Sequence, residues 1–504
     1  MRRAAPSTAP PRGIAHGRRS GCRRGRIDTL IASSHDVSPD KALASIRAFD
    51  GPLLMDLDET LYLRSSTEDF IDCAYPAVVA AVLMQGLDWI KPWRWSGGEA
   101  TRDVWRVRLI LLVFPWTLLR WRYRLPVLLH AYTNVPLADL IRRHRAMTVI
   151  VTMGFRCIVT PLIVRLQLGQ SRIVAVRVST CRDRLRGKLD LARDAVGAST
   201  VRRSLVLTDS LDDLALLDAC RVPLRTRWPA ARYRQALSAV YLPGRYLTRV
   251  KRPGERYIVR GILQEDFAFW LLASAGVALV PVMHSLGLLL LLMSFWTVYE
   301  SGYVDNDRIA ARYEAQPKLS ATFATSTVPT PALQPWLWAA ALAVAALALL
   351  RWPARAQAAD LVVWMLLLVA TRVWFALYNR LDKASRIWLF PGLQLARAAA
   401  FVVLVPIVPI ASAALGAHVL AKWLPYYVYR LGVSGWPETR VCLTRLLFFV
   451  VLATLLGLSL GWAHTINTTS AALLAWNLYR ARDELRATLR SAHRIDRYPT
   501  EPPA

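Results

Sequence analysis

The chain has 504 residues, with 64 Lys and Arg against 35 Asp and Glu, a formal charge of +29 and a mean hydropathy of +0.29. Its 54% apolar residues, with 19 Trp and 17 Tyr, exclude a disordered tail protein. The positive hydropathy argues against a simple soluble nucleic-acid binder, and a membrane protein with its basic charge on one side reconciles the two numbers.

Residues 1–45 form a basic leader, with eight arginines between Arg2 and Arg26 and no apolar run that would make a secretory signal. It reads either as a disordered segment or as a contact with anionic lipid headgroups. The six cysteines show no CxxC and no metal-type clustering, as reduced thiols of a cytosolic part would.

Residues 46–262 read as an α/β domain. Leu53-Leu54-Met55-Asp56-Leu57-Asp58-Glu59-Thr60 is an apolar run leading into two carboxylates separated by one residue. Side chains alternate along a strand, so Asp56 and Asp58 point the same way at its carboxyl end, where open α/β sheets bind ligands. A strand-end turn is the plainer alternative. Three elements follow in order: the apolar strand 148–152 ending in Thr152, Lys188 opening a helix after Gly187, and 204–213, a strand ending in Asp209, Asp212 and Asp213.

This ordered set resembles the four motifs of the haloacid dehalogenase (HAD) phosphohydrolase superfamily over residues 50–225, and 204–220 is similar to its phosphoserine-phosphatase-like branch. The resemblance implies a Rossmannoid α/β domain with a helical cap. It implies Asp56 as nucleophile, Asp58 as general acid/base, and Thr152 and Lys188 as holders of the phosphoryl oxygens. It also implies Mg²⁺ among Asp56, Asp58, Asp209 and Asp213, with Asp212 an alternative to Asp213. Hard oxygen ligands suit that ion, and an aspartyl-phosphate would split one displacement into two. Glu59 departs from the pattern, which usually has Gly there.

The cap occupies about 61–147. Its apolar stretches 74–83 and 109–119 are too short for confident crossings. They read either as a cap lying in the membrane interface or as an ordinary helical cap with an apolar core.

Residues 263–478 read as an all-α polytopic membrane domain. About six transmembrane helices are expected, near 267–284, 286–300, 335–350, 359–378, 397–420 and 440–463. Twelve Lys and Arg on one side against five on the other place both termini and the α/β domain in the cytoplasm of a multi-pass protein of the inner or plasma membrane. Residues 479–504 form a basic C-terminal helix and tail, interfacial or solvated.

After the second apolar helix comes Glu300-Ser301-Gly302-Tyr303-Val304-Asp305-Asn306-Asp307-Arg308, with Glu314 and Lys318 further on. Acidic residues at a membrane helix end are costly unless paired or bound to a cation; a solvated loop is the alternative. The segment resembles the first Asp-rich motif of UbiA-type prenyltransferases, which implies Asn306, Asp307 and Glu314 as binders of Mg²⁺-pyrophosphate. Ala310 stands where that motif has its middle Asp, and Asn379 and Asp382 replace a second motif. Arg372 either holds a lipid phosphate or snorkels to the interface.

The leading expectation is a membrane-bound, Mg²⁺-dependent HAD-type phosphatase acting on a phosphorylated lipid or polyprenyl-phosphate intermediate. A prenyl or polyprenyl-phosphate transferase with an accessory HAD domain is one alternative, and a non-enzymatic membrane scaffold another. Nucleic acid is not an expected partner; oligomeric state is left open.

Overall fold

The computed structural model describes residues 35–168, 171–430 and 440–492. The chain divides into two compact units, Met1–Val240 and Tyr241–Ala504, so the division falls before the expected domain boundary at 262.

The first unit is built on five parallel strands: β1 Leu53–Met55, β2 Thr148–Phe155, β3 Arg172–Val176, β4 Leu205–Thr208 and β5 Val222–Arg225, in the order β3-β2-β1-β4-β5. Every residue of β1 and β4 is buried, as strands covered on both faces require, which is why they read as continuous apolar runs. The chain lays down β1, β2 and β3 outward in one direction and then returns to the other side of β1 for β4. The order therefore reverses between β1 and β4, and the crevice beyond their carboxyl ends is where such a sheet takes a ligand.

The segment 61–147 is helical, and the helix Thr117–Tyr132 buries Trp121, Leu125 and Leu129. Two ion pairs fix its entry. Glu68 and Arg106 meet through two parallel bonds of 2.6 and 2.8 Å, and Arg64 pairs with Asp69. The expected leader 1–45 is cut short by the helix Pro39–Arg47, which begins at a Ser38 cap and buries Ala42 and Ile46; residues 1–34, with their arginines and Cys22, lie outside the described residues. The five described cysteines are free thiols.

The second unit is a helical bundle. Among the described residues, four of its helices are long and apolar enough to cross a membrane: Pro281–Tyr313, Ala358–Arg380, Arg386–Val403 and Val441–Leu460. About six were expected near the stretches named above, and two of those stretches are not single helices. The stretch 267–284 is interrupted, because the helix Ala268–Ser274 stops before a new one begins at Pro281. The stretch 397–420 is broken between Val403 and Pro409, where Pro406 and Pro409 lack the backbone donors a continuous helix needs. Gln334–Leu350 has 17 residues and lies along Pro281–Tyr313, with Ala339, Ala343 and Ala346 buried. A side chain at Gly287 would come within 2.7 Å of Leu350, so the close approach needs small residues on both helices. Nor is the C-terminal helix free-standing: Thr468–Ser491 buries Leu473, Asn477 and Ala481, and Arg480 pairs with Glu265 at 3.1 Å.

Candidate functional site

Asp56 is the first residue beyond β1, and its backbone N–H still donates to Leu207 of β4. Its Oδ1 accepts from the amide of Leu57 at 2.7 Å, which turns the carboxylate to the sheet's carboxyl end. Asp209 and Asp213 follow β4 in the same way. Thr208, the last residue of β4, donates to Asp56 at 3.1 Å and lies 2.5 Å from Asp213.

Lys188 reaches this point through a break in its own helix. Within Arg182–Val196, Gly187 adopts φ +82° and ψ 170°, so the helix restarts at Lys188. A side chain at Gly187 would meet open space, so the requirement there is backbone freedom alone. The ammonium lies 2.8 Å from Asp56 Oδ2 and 2.6 Å from Asp213 Oδ2. Asp212 is exposed and Asp213 buried, so of the two only Asp213 joins the cluster.

Asp58 is held differently: the amide of Ser66 donates to it at 2.7 Å. Thr60 donates to Asp209 at 3.1 Å. Thr152 lies near the end of β2, and its hydroxyl accepts from Gly154 at 2.9 Å rather than bonding any of the carboxylates. Gly154 is bare because a Cβ there would come within 2.7 Å of Val159, and within 3.2 and 3.3 Å of the Thr152 and Ser66 hydroxyls. Thr208, Ser66 and Gly154 were not legible as site residues, whereas Thr60 closes the DxDxT run.

Burial pushes the Asp56 carboxyl up to about 6, against the pull of Lys188 and with a further push from Asp213. Burial also raises Asp58 to about 6, against the Ser66 amide. Burial raises Asp209, and burial with Asp58 and Asp56 raises Glu59. Lys188 moves upward despite its burial, because Asp56 and Asp213 face it. Asp56 and Asp213 thus share one ammonium, with Asp58, Glu59 and Asp209 close by. Among the described residues no three His, Cys, Asp or Glu side chains form a ready-made metal site. The donor set is nonetheless one of hard oxygens with surplus negative charge, which suits Mg²⁺, an ion often held by one or two carboxylates plus water. Beside it, a cavity of about 490 Å³ is lined by Glu59, Asp209, Asp212, Arg227 and Trp228, among others.

In the second unit, Glu300, Asp305, Asn306 and Asp307 lie within the helix Pro281–Tyr313, so the alternative of a solvated loop does not hold for them. At ~1.5 Å per residue this 33-residue helix is about 50 Å long, more than a ~30 Å apolar core requires. The acids are paired inside the protein. Asp307 meets Lys251 at 2.5 Å and Tyr246 at 3.0 Å, while Glu300 accepts from the amides of Gly244 and Leu247. Asp305 pairs with Arg372. Asn306 donates to Asn379 at 2.9 Å, and Glu314 pairs with Arg386 at 2.8 Å and Lys383 at 3.4 Å. Asp307 is thus engaged apart from Glu314. Glu314, Asn379 and Asp382 line one open cavity of about 600 Å³, together with Arg380, Lys383 and Arg386.

Comparison with known proteins finds no matching family model, no matching curated protein and no matching solved structure.

Proposed function

We propose that the first unit is a HAD-type phosphohydrolase, borne by a membrane-crossing second unit and acting on a phosphorylated lipid or lipid-linked intermediate. The observation that carries this reading is the meeting of Asp56, Lys188 and Asp213 at the point where the strand order reverses. Two carboxylates two residues apart have different surroundings. Asp56 faces an ammonium that favours its ionised form, and Asp58 makes no ion pair among the described residues, which leaves it able to carry a proton.

Asp56 Oδ attacks phosphorus while the bond to the leaving oxygen breaks, and Asp58 gives that oxygen its proton. Asp58 then takes a proton from water as the water oxygen attacks phosphorus, which frees Asp56 and inorganic phosphate. Lys188 and Thr152 would hold the phosphoryl oxygens, the ammonium offsetting charge that builds on them. Asp56 and Asp209, with Asp213 in support, would hold Mg²⁺, which supplies further charge stabilisation when bound. The test is hydrolysis of a generic phosphomonoester by the full chain in detergent with Mg²⁺. Asp56→Asn should abolish it, and undiminished activity in that variant would overturn the reading.

A second reading, a prenyl or polyprenyl-phosphate transferase in the membrane unit, is favoured by one observation: Glu314 and Asp382, from the two segments compared with Asp-rich motifs, line the same cavity. It expects Asp382→Ala to abolish a lipid product while phosphomonoester hydrolysis continues. A product formed at the normal rate would remove it.

A further inference from the structure

We propose that one face of the first unit's cap docks on the anionic headgroup surface of the bilayer that the chain's own helices cross. The helix Thr117–Tyr132 is apolar on two opposite sides. Trp121, Leu125 and Leu129 are buried, yet Leu119, Tyr123 and Val127 are 66%, 86% and 73% exposed. A helix in a soluble setting keeps one apolar stripe and turns polar residues outward, so a second apolar stripe on the opposite side calls for a cover of its own.

The exposed side continues onto the neighbouring helix through defined contacts. Trp116 donates its indole N–H to the carbonyl of Tyr75 at 3.0 Å, and the Arg120 guanidinium lies 4.8 Å from the Tyr75 ring centre. Beyond Tyr75, the helix Ala77–Ile90 exposes Val78, Val79 and Val82, at the spacing of one helix face. Leu119, Arg120, Tyr123 and Arg124 also line an open groove of about 670 Å³.

Charge identifies the occupant. Residues 104–138 contain five arginines and no Asp or Glu. Arg106 is spent on Glu68 and Arg108 on the carbonyl of Val178, which leaves Arg120, Arg122 and Arg124 exposed. Aromatic rings and aliphatic side chains rimmed by guanidinium groups, with no acid among them, complement lipid phosphates above acyl chains. A protein partner would have to compete with a bilayer that four membrane-length helices keep at hand. The proposal deepens the phosphohydrolase reading and rests on it only for its consequence, that the docked cap offers the site to a lipid phosphate.

The test uses the full chain in vesicles with about 30% anionic lipid. A photo-crosslinking p-benzoylphenylalanine replaces Tyr123 or Leu119, and Val164, 67% exposed on the helix Arg156–Leu166, serves as the comparison. Lipid adducts should form at 119 and 123 about tenfold more than at 164, and fall about tenfold when Arg120, Arg122 and Arg124 are changed together to Glu. Equal adducts at all three positions, adducts indifferent to the charge reversal, or crosslinks to protein instead of lipid would overturn it. The charge-reversed chain should hydrolyse a soluble phosphomonoester as before. Should Asp56→Asn prove without effect on hydrolysis, the phosphohydrolase reading falls while the lipid adducts still decide the docking.

Discussion

Lys188 Nζ lies 2.8 Å from Asp56 Oδ2, with each side chain only 8% exposed. The ammonium also touches Asp213, so a single cation keeps two buried carboxylates from facing each other unpaired. Removing one partner of a buried ion pair leaves an uncompensated charge, at a cost of about 3–5 kcal/mol. Lys188→Met should therefore lower the unfolding midpoint of the full chain in detergent as well as abolish phosphomonoester hydrolysis. An unchanged midpoint would show that the three groups do not share a charge balance.

Asp58 should behave in the opposite sense. Its carboxyl is raised to about 6 by burial, so ionising it at neutral pH costs folding free energy. The cost is on the order of 1–3 kcal/mol, since each tenfold change in proton affinity is worth ~1.4 kcal/mol. The folded state holds this proton more tightly than the unfolded chain does, so this group's contribution to stability falls as pH rises from about 4 to about 6. Asn keeps an oxygen for the Ser66 amide and carries no charge. With metal removed by chelation, Asp58→Asn should raise the melting temperature at about pH 8 and raise it less at about pH 5, while hydrolysis is lost. A variant less stable than the parent at both pH values would refute this.

The strands carrying Asp56, Thr152 and Asp209 were legible because fully buried parallel strands leave unbroken apolar runs, and a polar residue at the end of each run marks the ligand face. The partners were less legible. Ser66 reaches Asp58 by a backbone amide, which any residue type would supply, and Lys188 owes its position to the conformation of Gly187. The membrane unit misled for a related reason. Hydropathy ends the second apolar helix near Glu300, but the helix continues to Tyr313 because its acids find partners more than fifty residues earlier, at Gly244, Leu247 and Lys251. Local composition carries no trace of such pairings.

Arg106 should matter to stability through the cap rather than through chemistry. Its two bonds to Glu68 are buried, and Glu68 also accepts from the amide of Ala236 at 2.7 Å. Arg106→Met leaves Glu68 charged and enclosed, an expected loss of about 3–5 kcal/mol. The paired change Arg106→Met with Glu68→Leu removes both charges and should recover most of that loss. A double variant no more stable than the single one would show that the bidentate pair is not what Arg106 contributes.

Glu59 stands at φ +57°, a left-handed conformation that costs a residue with a side chain about 1–2 kcal/mol and glycine almost nothing. The greater freedom of glycine in the unfolded chain takes back about 0.4–1 kcal/mol of that relief. Glu59→Gly should therefore be neutral to stabilising, by about 1.6 kcal/mol at most. Its effect on function should be larger. Glu59 shares a cavity with Asp209 and lies close enough to Asp56 and Asp58 for their charges to act on it, so its carboxylate repels an anion brought to Asp56. Removing the charge should lower KM for a phosphomonoester several-fold, because a repulsion of about 1 kcal/mol acts on the approaching anion. The pH dependence separates this from a repaired backbone. A change in KM confined to pH values at which Glu59 is ionised identifies the charge, and an equal improvement at acid pH would assign it to the backbone instead.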